Sequence, residues 1–100
     1  MPNGGTPLRQ RPTTPSAPSP RRFFAEGALD ARTKQIIAVA VAHATQCPWC
    51  IEGHVKAARR AGATQEEIME AIWVAAEMRA GAAVAHSIKA LDLMGDDAPQ

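Results

Sequence analysis

Between Asp30 and Met94 the apolar residues recur at three- and four-residue steps, and no stretch alternates apolar and polar at every second position. Such a period belongs to helices that turn one side inward, and no strand is expected. Ile36, Ile37, Ala40, Val41 and Ala44 define a first helix, opened by Asp30 as its N-cap and running to about Thr45. Pro48 suits the first turn of a second helix with Cys47 as N-cap, because a first-turn N–H has no partner to lose. This helix carries Val55, Ala58 and Ala61 and is expected to stop at Gly62, which accepts a left-handed backbone. Thr64 and Glu67 form a capping box for a third helix, with Ile68, Ile72, Ala75 and Ala76 on one side and Met69 and Trp73 adjoining them. The pattern continues to about Met94, and Gly81 is the expected break that yields a fourth helix. The fold class is all-α, with Ala, Val and Ile rather than aromatics filling a core between closely spaced helices.

Met1 to Pro20 departs from this pattern: it holds six of the eight prolines and no long apolar run. Proline fixes φ and removes a donor, so residues 1–22 are expected to be a disordered, partly polyproline-like arm. Residues 23–95 form the helical domain and 96–100 a short disordered tail. Roughly 70 residues are then left to build a core, a size at which buried apolar surface barely offsets chain entropy. An obligate homo-oligomer is the expected remedy.

Charge changes the picture little. The net charge is +1, yet Arg9, Arg11, Arg21 and Arg22 lie in the first 25 residues with no acid among them, leaving the remainder at −3. Four arginines among prolines, without interleaved aromatics, read as a solvated tail and argue against a nucleic-acid partner. "SPRRFFAEG" has the look of a twin-arginine export motif, but Glu26, Asp30, Arg32 and Lys34 interrupt the apolar stretch of about 7–15 residues that a signal requires. "IIAVAVAHA" falls short of the about 20 residues that span a bilayer. A cytoplasmic protein with no membrane partner is expected.

Chemistry concentrates in "CPWCIEGH", residues 47–54. On a helix that starts at Pro48, Cys47, Cys50 and His54 project from one face near the positive end of the helix dipole. Free backbone N–H groups there stabilise thiolate, the reactive form of cysteine. His54, one turn beyond Cys50, can accept its proton, and the spacing lets one sulfur attack while the other resolves the product as a disulfide. Zinc is the main competitor, since all three residues are zinc ligands. A structural site, however, takes four ligands from separate turns, and only His43 or His86 is left to complete it. Covalent haem is excluded because Ile51, not histidine, follows Cys50. Two small buried hydrophobes are the plain alternative, and Pro-Trp between them is an odd filler. In a reducing compartment the pair reads as redox-active before it reads as metal-binding.

The run "KQIIAVAVAHATQCPWCIEGHVKAARRAGATQEEIMEAIWVAAEMRAGAAVAHS" closely resembles the carboxymuconolactone decarboxylase family in its alkyl hydroperoxidase D-like branch, over about residues 23–93. The resemblance implies a helical subunit that assembles into trimers or hexamers and performs thiol-dependent peroxidase or disulfide reductase chemistry. It makes Cys50 the peroxide-attacking thiol, Cys47 the resolving and reductant-facing one, and His54 part of the proton relay. Cys50 would become a sulfenic acid, Cys47 would condense with it, and an external dithiol or protein reductant would restore the pair. No metal, flavin or nicotinamide cofactor is implied.

The family places Glu twelve residues before the first cysteine, where this chain has Gln35, which hydrogen-bonds water but takes no proton. His43 and Glu77 are the replacement candidates for the relay. His43 reads first as a residue satisfying a helix C-terminus, and Glu77 first as a partner of Arg79 or of a neighbouring subunit. Trp49 is expected to wall the pocket, Trp73 to lie in the core or an interface, and His86 and Met94 to be structural or surface groups. Two other functions stay open: a lyase acting on a small lactone acid, and a non-enzymatic oligomeric thiol or metal-binding module.

Overall fold

The computed structural model describes residues 20–95. The expected arm up to residue 19 and the tail 96–100 therefore lie outside the described residues. Five helices follow one another, α1 (Pro20–Phe23), α2 (Ala31–Ala44), α3 (Pro48–Arg60), α4 (Gln65–Ala85) and α5 (Ser87–Met94), with no strand among the described residues. The fold is all-α, as the periodicity predicts. The single turn α1 lies partly within the segment where proline content argues against helix; proline is tolerated at a first helical position because its missing N–H is an orphan there anyway.

Each boundary has a local cause. Asp30 Oδ1 accepts the Thr33 N–H at 2.7 Å and opens α2. The hydrogen bonds from Thr33 are the chief reason the Asp30 carboxyl titrates below its ordinary range. The α2–α3 and α3–α4 turns use the same closure, in which two backbone N–H groups reach back to the last carbonyls. After α2, Gln46 donates to the His43 carbonyl at 3.2 Å and Cys47 to that of Ala42 at 3.0 Å. After α3, Gly62 donates to Arg59 at 3.0 Å and Ala63 to Ala58 at 2.9 Å. The pivot must be left-handed in both. Gly62 takes it at φ 99°, and Gln46 takes it at φ 57°, where a side chain is strained.

Thr64 then caps α4: its Oγ1 accepts the Glu67 N–H at 3.1 Å while Glu67 returns Oε1 to the Thr64 N–H at 2.9 Å. The other Glu67 oxygen pairs with Arg32, pinning the start of α4 to α2. The Thr64 N–H, and after it Arg32, hold the Glu67 carboxyl below the usual range.

Helix α2 is central, packing against both α3 and α4. Val39, Ala58, Ala63 and Ile68 form the buried cluster, with Ile36, Val55 and Ile72 packed against it. Small residues at the crossings let the helices approach closely, so the core is thin and aliphatic. Two expectations fail here. Ile37 and Val41 are not core residues: they are 45% and 54% exposed, while Val39 and Ala42 of the same helix are buried. Helix α2 is apolar on two sides, and period alone does not say which faces the bundle. Gly81 does not break the helix either. α4 runs through it to Ala85, because an isolated glycine in a helix costs only about 1 kcal/mol. The break falls at His86, whose Nδ1 and backbone N–H both reach the Ala82 carbonyl, at 2.8 and 3.1 Å.

Beyond Ala75 every residue of α4 and α5 is exposed. Met78, Val84, Ile88 and Leu93 project from this stretch, and Trp73 and Val74 just before it, all at least 60% exposed. Trp73 is thus not part of the core.

Candidate active site

The α2–α3 turn assembles the site. Cys47 closes α2 through its backbone N–H and opens α3 through its side chain, where Sγ accepts the Cys50 N–H at 3.3 Å. Proline in the first turn fixes the direction of α3, so Cys50 comes round one turn later beside Cys47. The two form a disulfide with Cα atoms 5.3 Å apart. Once the bond is reduced, the same N–H and the first-turn dipole are available to a Cys47 thiolate.

Helix α3 runs back along α2 and sets His54 opposite Gln35. The His54 Nδ1–H donates to Gln35 Oε1 at 2.8 Å. An amide oxygen only accepts, so this bond assigns the proton to Nδ1 and leaves Nε2 with a lone pair while the ring is neutral. Phe24 lies against the other side of the imidazole, ring centroids 5.0 Å apart and planes tilted by 34°.

Phe24 reaches that place because residues 22–30 are tied over the start of α2. Lys34 Nζ donates to the Ala25 carbonyl at 2.7 Å, and Glu26 Oε2 accepts the Ala31 N–H at 3.1 Å. Between this segment, α2 and α3 lies a cavity of about 450 Å³. Its walls are Phe23, Phe24, Ile37 and Val41, and both Cys50 and His54 face it. The apolar side of α2 that misses the core therefore faces this space instead. Cys47 does not line it, so the two sulfurs have different surroundings: one beside an apolar pocket, the other at the helix turn.

The remaining sequence candidates fall elsewhere. His43 Nδ1 donates to the Val39 carbonyl of its own helix at 2.8 Å, the helix-terminus role expected first, and it is not in the cavity wall. Glu77 is exposed on α4 away from the cavity. Its proposed partner Arg79 instead donates to the Ala44 carbonyl at the end of α2. Trp49 does not wall the pocket: it is 83% exposed, pointing to the solvent side of the α3 turn. Of the relay candidates only Gln35 touches the site. The sequence reading missed Phe23, Phe24 and Lys34. Phe23 and Phe24 stood out only as a pair of aromatics just after the arm, and Lys34 carried no signal. Among the described residues no group of three His, Cys, Asp or Glu side chains is placed to hold a metal ion, and no helix is long and apolar enough to cross a membrane.

The described residues thus form a helical fold with a CxxC disulfide at a helix start beside an apolar cavity. Residues 21–93 match the carboxymuconolactone decarboxylase family, and the chain belongs to it. An uncharacterised Paracoccus denitrificans protein of the cox locus is 78% identical over 73 residues, which cover 73% of this chain and 66% of the relative. An uncharacterised protein of Cupriavidus necator is 36% identical over 66% of the chain and 58% of its own length. A crystal structure of an apo carboxymuconolactone decarboxylase family protein from Legionella pneumophila superposes with a TM-score of 0.58 at 38% identity, covering 72% of this chain and 64% of that one. The chain thus spans somewhat less than two thirds of each of these relatives.

Proposed function

We propose that the protein is a thiol-dependent peroxidase and disulfide oxidoreductase of the alkyl hydroperoxidase D-like branch, acting through Cys47 and Cys50. The observation that carries this reading is the placement of Cys50 and His54 on one apolar cavity, with Cys50 joined to Cys47 at the first turn of α3. In the reduced enzyme, Nε2 of His54 takes the Cys50 proton, its Nδ1–H held by Gln35. The thiolate attacks the terminal oxygen of a hydroperoxide, the O–O bond breaks, and the alkoxide leaves with the proton from His54 as an alcohol. Cys50 is now a sulfenic acid. Cys47 attacks its sulfur, the S–S bond forms and water departs. An external dithiol returns two electrons and two protons, entering at Cys47 on the side away from the cavity. Gln35 orients the imidazole without adding charge, so activation of the Cys50 thiol relies on His54, while the N–H at the helix terminus serves Cys47 Sγ. A lyase acting on a lactone acid has no use for the disulfide, which is why that reading ranks second.

The exposed apolar side chains between Trp73 and Leu93 support self-association, trimer or hexamer, in a reducing cytoplasm, since large exposed apolar residues mark interfaces. The test is free-thiol titration of the reduced protein with stoichiometric hydroperoxide. Loss of two thiols per chain with no adduct, reversed by a dithiol, is expected. Thiols that survive the oxidant would overturn the proposal.

A further inference from the structure

The cavity beside Cys50 carries information about what enters it. Its walls are apolar, no Asp or Glu is among its lining residues, and Lys34 is its one permanent cation. An ammonium has three donors and no acceptor. Lys34 spends one on the Ala25 carbonyl, which also fixes the side chain in place, and the other two N–H groups have no partner among the described residues. Of the two acids in the connecting segment, Glu26 is engaged by the Ala31 N–H and Asp30 by the Thr33 N–H. The Thr45 hydroxyl, which shares the wall with Lys34, Cys50 and His54, is spent on the Val41 carbonyl at 2.9 Å.

Position along α2 gives the cavity a direction. Lys34 and Thr45 stand at its two ends, about 16 Å apart along the helix axis at 1.5 Å per residue. Helix α3 starts just after Thr45 and runs back, so Cys50 lies toward the Thr45 end and His54, opposite Gln35, toward Lys34. A ligand filling this space meets a positive group at one end, aromatic and aliphatic walls along its length, and the sulfur further in. Pockets of about 300–1,000 Å³ with apolar walls and a few placed polar groups are typical of small organic ligands, whose orientation those polar groups set.

We infer that Lys34 makes this cavity a site for apolar carboxylic acids, so that the hydroperoxides it takes best carry a carboxylate several carbons from the O–O bond. The ammonium holds the carboxylate, the chain lies between Phe23, Phe24, Ile37 and Val41, and the peroxide reaches Cys50. The inference deepens the peroxidase reading and rests on it for the word hydroperoxide; the acid site itself is tested without any redox step.

Titration calorimetry of the full chain with decanoate and with methyl decanoate tests the acid site. The acid is expected to bind at least ten-fold more tightly than the ester. Lys34→Met should abolish that preference, while Lys34→Arg, which keeps the charge, should retain it. Equal affinity of wild-type protein for acid and ester overturns the inference, and this arm stands even where Lys34→Met fails to fold. A preference that survives in a folded Lys34→Met protein overturns it equally. Reaction of the reduced protein with linoleic acid hydroperoxide and its methyl ester should give the same rank order in rate constants. Should both peroxides prove inert while decanoate binding still depends on Lys34, the peroxidase reading fails and the acid site stands.

Discussion

Replacing Gln35 with Glu restores the carboxylate that the family pattern places there, and the structure fixes what this should do. Gln35 Oε1 lies 2.8 Å from Nδ1 of His54, in a half-buried setting. A carboxylate at that distance attracts an imidazolium with on the order of 6 kcal/mol at an effective dielectric constant of about 20. Partial exposure and the desolvation of two charges reduce this to the range of about 1–2 pH units that close opposite charges commonly produce. The charged ring is favoured, so the base form of His54 appears only at higher pH. The acid limb of the rate profile for Cys50 oxidation should therefore move up by about 1–2 pH units in Gln35→Glu. Above the new limb, the stronger base should raise the rate by about 3–10-fold. Gln35→Leu should act in the opposite sense. It leaves a half-buried N–H without a partner and the ring unheld, a loss of about 1–3 kcal/mol, or about 5–160-fold in rate. The assay is single-turnover loss of thiol from reduced protein against a fixed hydroperoxide between pH 5 and 9, with helix content checked by circular dichroism. A Gln35→Glu profile that superimposes on the wild-type one would refute the reasoning, because it would show that Nδ1 of His54 has no part in activating the thiol.

Three further outcomes follow from named contacts. Cys47→Ser should let Cys50 accumulate as a sulfenic acid that an acid-specific trapping reagent captures, whereas Cys50→Ser should yield no such adduct; trapping at the wrong sulfur in mass spectra reverses the assignment. Gln46→Gly removes a side chain from a left-handed position and should stabilise the fold by about 1 kcal/mol, a rise of several degrees in Tm for a chain of this size; an unchanged or lower Tm refutes the strain. Asp30 and Glu67 both titrate below their ordinary values of 3.8 and 4.5, held down by Thr33 and Thr64. Their contribution is complete above those ordinary values and is lost as the pH falls through the lower folded ones. Acid titration should show less loss of stability below pH 4.5 in Asp30→Asn and Glu67→Gln than in wild type.

Local signals survived translation into structure where one residue type has one physical job. Asp30, Thr64 and Pro48 each satisfy or avoid orphan N–H groups at a helix start, and all three mark real boundaries. Gly62 does the same at a helix end. Gly81 misled because glycine permits a break without requiring one: a Cβ built there would meet nothing within 4 Å. The orientation of α2 was not legible, since Ile37 and Val41 satisfy the helical period as well as Val39 does. Only packing against α3 and α4 decides which stripe is core and which lines a cavity. The pairing of Gln35 with His54 joins positions nineteen apart, and its signal came from family resemblance rather than from periodicity. Phe24 and Lys34 were missed because their importance depends on a connecting segment folding back over α2, held by hydrogen bonds to backbone carbonyls and N–H groups that carry no sequence signature.

The backbone around Cys47 is held by bonds in which the sulfur–sulfur link has no share. Its N–H goes to the Ala42 carbonyl and its own carbonyl receives the Ile51 N–H at 2.9 Å. Neither backbone bond needs the disulfide, so both remain available to hold the helices after its scission. Electrons can enter and leave this pair by side-chain torsions alone, so a catalytic cycle here would involve no folding transition, and its pace would be set by chemistry and by the arrival of oxidant and reductant.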